Sequence, residues 1–367
     1  MKIILDNIIF ALQRSGGISV VWYELISRIL RNRNEDDIQC LNYRNTNIFY
    51  ETLKNKGLIK ESFINLKNPF ERYQSLPFRE YKSNFIFHSS YYRYSTNPNA
   101  INITTVHDFT YEYYNKGLKK YIHSWQKKKA ILKSDYIICI SENTKKDLLH
   151  FIPKASEKRI KVIYNGVSDD YYPIKDKKIL KHIKLPFVEK SFIVFIGSRA
   201  SYKNFDLAVK AVSESPYNFL IIGSPLNKDE ETLLANNFKD KQRYSFIGHV
   251  TNEALNQIYN TAYALVYPSI YEGFGIPVIE AQKSGCPVIA FNGSSIPEII
   301  GDTTLLMHET TSDEILRCLS LLSSTKLRES VINNGFENAK RFSWDNMYNE
   351  IINVYIDAWK QIPQKSH

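Results

Sequence analysis

At 367 residues, with 43% hydrophobic residues, 25 Tyr and 20 Phe, the chain has the length of two ordinary domains and the composition of a folded protein. Its net charge of +10 is uneven: residues 1–185 hold 32 Lys and Arg against 18 Asp and Glu, and residues 186–367 hold 16 against 20. No run approaches the ~18–20 apolar residues of a membrane span, and the start lacks a basic-then-apolar secretory signal, so a cytoplasmic location is expected.

In chain order, residues 2–5 read as an apolar strand leading into Arg14-Ser15-Gly16-Gly17-Ile18-Ser19. An amphipathic helix follows over about 19–30, where Val20, Val21, Tyr23, Leu25, Ile26, Ile29 and Leu30 leave Glu24, Ser27 and Arg28 between them. Gly16-Gly17 lets the backbone approach a phosphate or sugar closely, although a bare glycine pair is more often just a turn. Strands are expected at 38–43, 84–88 and 101–106. The last ends in His107-Asp108, at the carboxyl edge where open α/β sheets place their ligands. A lone His beyond a strand is more often a loop residue with a local hydrogen bond. Residues 117–134 read as a basic helix and 135–140 as a buried strand. Ser141 is a helix N-cap with Thr144 in the first turn. Residues 160–167 close the first half, and the Lys-rich stretch 168–190 reads as a linker.

The second half repeats the layout. A strand at 192–196 runs into Gly197-Ser198-Arg199-Ala200-Ser201-Tyr202-Lys203-Asn204, and further strands fall at 218–223 and 244–250. An apolar strand at 263–269 precedes the loop Gly273-Phe274-Gly275. A helix then spans 276–285, with Pro277 near its first position and Gly285 at its end, before a strand at 286–292. Strand, glycine loop and helix together turn free backbone N–H groups toward an anionic ligand. Glu272 and Glu280 flank that turn. After a strand at 303–307 come two amphipathic helices and a last helix over about 344–359. Alternating strands and helices in both halves give an α/β class with parallel sheets. Cys40, Cys139, Cys286 and Cys318 form neither a C-x-x-C pair nor a zinc spacing and are expected as reduced structural thiols.

The run E-G-F-G-I-P-V-I-E at 272–280, followed by S-G-C-P-V-I-A and by Pro297-Glu298, resembles the signature of the retaining family 4 glycosyltransferases. The Gly-Gly loop, His107-Asp108 and the G-x-R-x-x-x-K-N segment at 197–204 match the same family. The resemblance implies the GT-B fold: two facing Rossmann-like domains with parallel sheets and an interdomain active-site cleft. The implied boundaries are an acceptor-side domain at 1–170, a linker at 171–190 and a nucleotide-sugar-binding domain at 191–343. The last helix, 344–367, would return toward the first domain.

The same resemblance assigns roles. Glu272 and the amides of Gly273, Phe274 and Gly275 would hold the donor sugar, and Glu280 the ribose. Arg199 and Lys203 would clamp the diphosphate, which the Gly16-Gly17 loop would face. Gly248, His249 and Val250 would meet the base, and His107 the transferred sugar. Asp108, Tyr91 and Tyr92 would lie on the acceptor side. The expected catalytic set is therefore His107, Arg199, Lys203 and Glu272. No D-x-D motif is present, so neither a catalytic metal nor a cofactor is expected.

The implied activity is transfer of a hexose with retention. The S-S-I-P-E-I-I-G-D form resembles the bacterial mannosyltransferase branch of surface-polysaccharide enzymes, which places GDP-mannose ahead of UDP- or dTDP-sugars as donor. The basic first half suits an acceptor glycan linked to a polyprenyl diphosphate, with peripheral contact to the inner face of the cytoplasmic membrane. A solvated basic face is the plainer alternative. Nucleic acid is set aside because the clusters at Lys127–Lys129 and Lys175–Lys178 lack the interleaved aromatics of RNA and DNA readers. A nucleotide-sugar 2-epimerase, a pyridoxal-dependent phosphorylase and a non-catalytic nucleotide-binding partner share the fold and stay open as alternatives.

Overall fold

The computed structural model describes residues 1–32, 37–59, 63–64, 69–176 and 185–361. Residues 177–184 of the expected linker, with part of the 175–178 lysine cluster, and 362–367 of the expected last segment lie outside the described residues. The chain divides into two compact units: Met1–Gly166 together with the segment opening at Trp344, and Val167–Ser343.

The first unit is a wholly parallel sheet of six strands, β1 (Ile3–Asp6), β2 (Ile38–Leu41), β3 (Phe85–Ser89), β4 (Ala100–Val106), β5 (Tyr136–Cys139) and β6 (Arg159–Val162), in the order β2-β1-β3-β4-β5-β6. Continuous apolar runs such as Phe85-Ile86-Phe87 and Tyr136-Ile137-Ile138 are buried, as strands covered by helices on both faces must be. The helix Gly17–Asn32 begins two residues before its amphipathic pattern and packs against the last helix, Trp344–Lys360. Inside that junction His88 lies 2.6 Å from the Tyr355 hydroxyl and 2.9 Å from Thr105 Oγ1. Burial lowers the His88 pKa to about 3, so this imidazole is a neutral structural link.

The second unit has the same plan: β7 (Phe192–Ile196), β8 (Asn218–Ile222), β9 (Tyr244–Ile247), β10 (Ala264–Tyr267), β11 (Val288–Phe291) and β12 (Leu306–Met307), ordered β12-β11-β10-β7-β8-β9 and all parallel. Phe195, Phe205, Phe219, Val266, Ile289 and Leu319 share its core. In each sheet the winding direction reverses once, between β1 and β3 and between β7 and β10. Ligands of open α/β sheets bind beyond the carboxyl ends of strands at such a reversal.

Two polar, lysine-rich stretches are packed more closely than their composition suggests. Residues 171–174, read as linker, are docked on the helix Asn252–Thr261. Tyr171 is buried, and the Tyr172 and Ile174 amides donate to Asn256 Oδ1 at 3.1 Å and Asn260 Oδ1 at 2.7 Å. Asparagines look solvent-facing in a sequence, yet here they satisfy backbone groups in place of a strand. The basic cluster Lys127–Lys129 is not a uniform solvated face either. Lys127 points inward from the helix Gly117–Lys133 with its side chain 1% exposed. Among the described residues no helix is long and apolar enough to cross a membrane.

Candidate active site

In the second unit the reversal between β7 and β10 gathers two loops. The loop after β7 carries Arg199, Lys203 and Asn204, and the loop after β10 carries Glu272 to Gly275. They are tied together: Ile270 N donates to Tyr202 O at 2.8 Å, and Asn204 Nδ2 to Pro268 O at 2.9 Å. Asn204 sits in the left-handed region at φ 50°, a conformation Asn tolerates better than most residues. Between the loops Lys203 Nζ and Glu272 Oε1 form a largely buried ion pair, with Tyr202 and Tyr267 rings beside the ammonium.

Two serines that sequence reasoning passed over hold the Glu272 loop in shape. Glu272 N donates to Ser294 Oγ at 2.8 Å, and the Ser295 hydroxyl lies 2.9 Å from both the Glu272 and Phe274 carbonyls. The only available signal was the Ser-Ser before Ile296-Pro297. Phe274 is buried edge-on against Phe342, so its backbone alone is offered to a ligand. Gly275 has φ 103°, and a Cβ there would lie 2.9 Å from Ile296 Cδ1. A close turn into the helix Ile276–Lys283 therefore requires glycine, and that helix directs its first N–H groups toward the loop.

Glu280 projects from the same helix toward Tyr171 and Tyr259. Burial raises its pKa to about 7, and the two tyrosine hydroxyls facing it oppose the rise. Arg199 is placed differently from Lys203. Its Nη2 donates to Ser224 O and Pro225 O, both at 2.8 Å, and its Nε lies 2.8 Å from Glu230 Oε1, with the side chain 5% exposed. Lys203, and not Arg199, meets Glu272. Gly248 and His249 are exposed and Val250 half-buried beyond the end of β9.

In the first unit the expected residues fall at the carboxyl edge of its sheet. Gly17 opens the helix Gly17–Asn32 with free space where a Cβ would stand, and Gly16 O accepts from Ser19 Oγ at 2.9 Å. His107 follows β4 and, with Ser90, Trp22, Thr105 and Asn165, lines a cavity of about 10 Å³. Burial lowers its pKa to about 4; Lys127 lowers it further and Asp108 opposes. It is a neutral imidazole near pH 7. Burial acts to raise the Asp108 pKa, but Lys127 and hydrogen bonds from Thr110 outweigh it and hold the carboxylate ionised. Lys127, read in the sequence only as part of a basic cluster, organises this turn by donating to Asp108 O at 2.8 Å and to Glu112 Oε2 at 2.7 Å. Tyr91 hydrogen-bonds His123 Nε2 at 2.8 Å. Tyr92 is buried and offers an acceptor little surface. Among the described residues no group of three or more His, Cys, Asp or Glu side chains is placed to hold a metal ion.

Two doubly wound parallel sheets, with glycine loops and charged side chains at their carboxyl edges, define a glycosyltransferase of GT-B fold. The chain carries two glycosyltransferase family domains, one described as Glycosyltransferase Family 4, matched over residues 15–171, and one described as Glycosyl transferases group 1, matched over 176–338. It is 27% identical over 343 residues to O-antigen chain mannosyltransferase B of Escherichia coli, covering 90% of this chain and 87% of that protein. Among solved structures it is similar to sucrose-phosphate synthase of Thermosynechococcus elongatus (TM-score 0.73, 18% identity, 98% of this chain and 100% of that one). It is equally similar to Anabaena HepE in complex with UDP-glucose (TM-score 0.73, 15% identity, 97% and 100%). At these identities the two structures speak for the fold alone.

Proposed function

We propose that this glycosyltransferase moves a hexose, mannose from GDP-mannose in the first instance, onto a polyprenyl-diphosphate-linked glycan of O-antigen type, with retention at the anomeric carbon. The observation that carries the reading is the Lys203–Glu272 pair beside the Gly273–Gly275 loop, at the reversal point of the second sheet. An ammonium, a carboxylate and helix N–H groups converge there, which suits a ligand with a diphosphate at one end and hydroxyls at the other. The E. coli relative, a mannosyltransferase by name, supports the donor sugar and the acceptor class. The UDP-glucose held by the Anabaena neighbour keeps UDP-sugars as the competing donor.

In the proposed reaction the bond between the anomeric carbon and the diphosphate oxygen breaks, and that oxygen leaves with the electron pair. The acceptor hydroxyl attacks from the same face, and its proton passes to the departing phosphate oxygen. Lys203, Arg199 and the loop amides stabilise the leaving charge. Glu272 orients the sugar, neutral His107 hydrogen-bonds a sugar hydroxyl, and Glu280 accepts from the ribose. Gly248 to Val250 border the base, the Gly16-Gly17 turn approaches the diphosphate, and Asp108 and Tyr91 lie on the acceptor side. The reading uses no metal or cofactor, and it places the enzyme peripherally at the cytoplasmic face of the membrane.

A thermal-shift screen with GDP, UDP, dTDP and ADP and their sugar conjugates tests this. A ligand at 100 times its Kd stabilises by about 2.7 kcal/mol. GDP and GDP-mannose should raise Tm above the other nucleotides and their conjugates, and Glu280→Ala should abolish the effect. A UDP-sugar standing out instead replaces the donor and leaves the transfer reading intact, whereas no response to any nucleotide overturns the reading.

A further inference from the structure

Half of the exposed large hydrophobic side chains among the described residues fall within thirteen positions of the first unit. They are Tyr113 and Tyr114, then Leu118 (73% exposed), Tyr121 (72%), Ile122 (37%) and Trp125 (54%). The last four stand at i, i+3, i+4 and i+7 of the helix Gly117–Lys133, which places them on one face. The opposite face is already used: Gln126, Lys127, Ala130 and Ile131 are buried. This helix therefore has two apolar faces, one packed on the sheet and one facing outward. A structural role explains only the first.

The charge around the outward face has one sign. Between residues 115 and 134 the sequence has seven lysines and no Asp or Glu. Lys127 is consumed by its buried pair with Glu112, and Lys116, Lys119, Lys128 and Lys133 are exposed. Lys129 lies over the Trp125 ring at 4.8 Å, ammonium beside indole. Trp and Tyr carry an apolar body and a polar tip suited to the headgroup boundary. Lysines at their flank can keep their charge among lipid phosphates.

We propose that the outward face of the helix Gly117–Lys133 is a docking surface for an anionic phospholipid bilayer, with Leu118, Tyr121, Ile122 and Trp125 entering the acyl boundary. Charge complementarity selects this occupant over a second copy, since the six lysines outside the buried Lys127–Glu112 pair would repel their counterparts on a copy. The proposal deepens the membrane-peripheral part of the reading above by naming the surface. It does not depend on which sugar is transferred.

The full chain should sediment with phosphatidylcholine vesicles containing about one third phosphatidylglycerol at least about tenfold better than with phosphatidylcholine alone, and added salt should weaken it. The other tryptophans, Trp22, Trp344 and Trp359, are buried or half-buried, so a blue shift on binding should come from Trp125 and vanish in Trp125→Phe. Leu118→Ser/Tyr121→Ser/Trp125→Ser should lose at least about tenfold in vesicle binding while keeping the wild-type Tm and the nucleotide thermal shift. Lys119→Glu/Lys128→Glu should lose binding to the anionic vesicles specifically. Wild-type binding by both variants, an unchanged Trp125 emission on sedimented vesicles, or loss of a concentration-dependent dimer in place of vesicle binding would each overturn the assignment. Retention of the nucleotide shift in the serine variant separates failure of the docking surface from failure of the glycosyltransferase reading.

Discussion

Lys127 and Glu112 form an ion pair of 2.7 Å with side chains 1% and 7% exposed, and the same ammonium donates to Asp108 O at 2.8 Å. The Phe109 ring lies 4.4 Å beneath the charge, and Ser124 Oγ satisfies the other Glu112 oxygen at 2.8 Å. A pair so enclosed gains little over an apolar substitute, but losing one partner strands the other charge. Lys127→Met should therefore cost about 3–5 kcal/mol in urea unfolding. Lys127→Met/Glu112→Gln should recover part of that loss. Because Lys127 also depresses the His107 pKa, the single variant should raise it from about 4, readable by NMR titration.

Gly275 carries the turn from Glu272 into the helix Ile276–Lys283 at φ 103°. Gly275→Ala imposes a left-handed backbone on a side chain and drives its Cβ to 2.9 Å from Ile296 Cδ1, inside the core. The backbone conformation alone costs about 1–3 kcal/mol. The variant should lose at least this much stability and raise KM for the donor, because the loop amides shift. Adding Ile296→Val should relieve the clash and leave the backbone cost, so only part of the stability returns.

Much of this fold was legible because parallel strands buried on both faces spell themselves as apolar runs. Phe192–Ile196 and Asn218–Ile222 stand almost where those runs end. The donor loop was legible because its chemistry is local: Glu272, Gly275, Pro277 and Glu280 lie within nine residues. What escaped reading was long-range polar pairing. Lys127 finds Glu112 fifteen residues away, Asn256 serves Tyr172 across 84, and Ser294 and Ser295 brace a loop 21 to 23 residues back. Nothing in a single sequence marks a buried lysine among exposed ones, since burial belongs to the packed neighbour. Arg199 is a further case: the family resemblance paired it with Lys203, and nothing in the sequence marks the Ser224 and Pro225 carbonyls that its guanidinium also holds.

Glu280 links stability to pH with a definite sign. Its folded pKa of about 7 lies above the ordinary 4.5, so the fold holds a proton that the unfolded chain has released between these values. Its contribution to stability therefore falls as pH rises from about 4.5 to about 7 and is flat beyond, a loss of up to about 3 kcal/mol. Glu280→Gln should remove this slope: nearly neutral at pH 5, stabilising at pH 8 in parallel urea titrations. If the ribose is held by the carboxylate form, nucleotide affinity of the wild type should rise through the same window, and the glutamine variant should show no such rise.

Lys203 and Arg199 should separate by what they lose. Lys203 faces Glu272 at the mouth of the loop, so its ammonium is free to be shared with an entering diphosphate. Lys203→Ala should lower kcat by about 10²–10³, the loss seen when a preorganised charge-stabilising donor is removed. Arg199 also holds two carbonyls and Glu230, so Arg199→Ala should combine a similar loss of turnover with about 1–3 kcal/mol of lost stability from the groups left unpaired. Turnover measured at saturating donor, at a temperature where both variants remain folded, reads the catalytic part alone. Near-wild-type rates from both would remove the two cations from the mechanism. A loss confined to Lys203 would make Arg199 the brace of the β8 loop and leave leaving-group stabilisation to Lys203 and the amides of the Gly273–Gly275 turn.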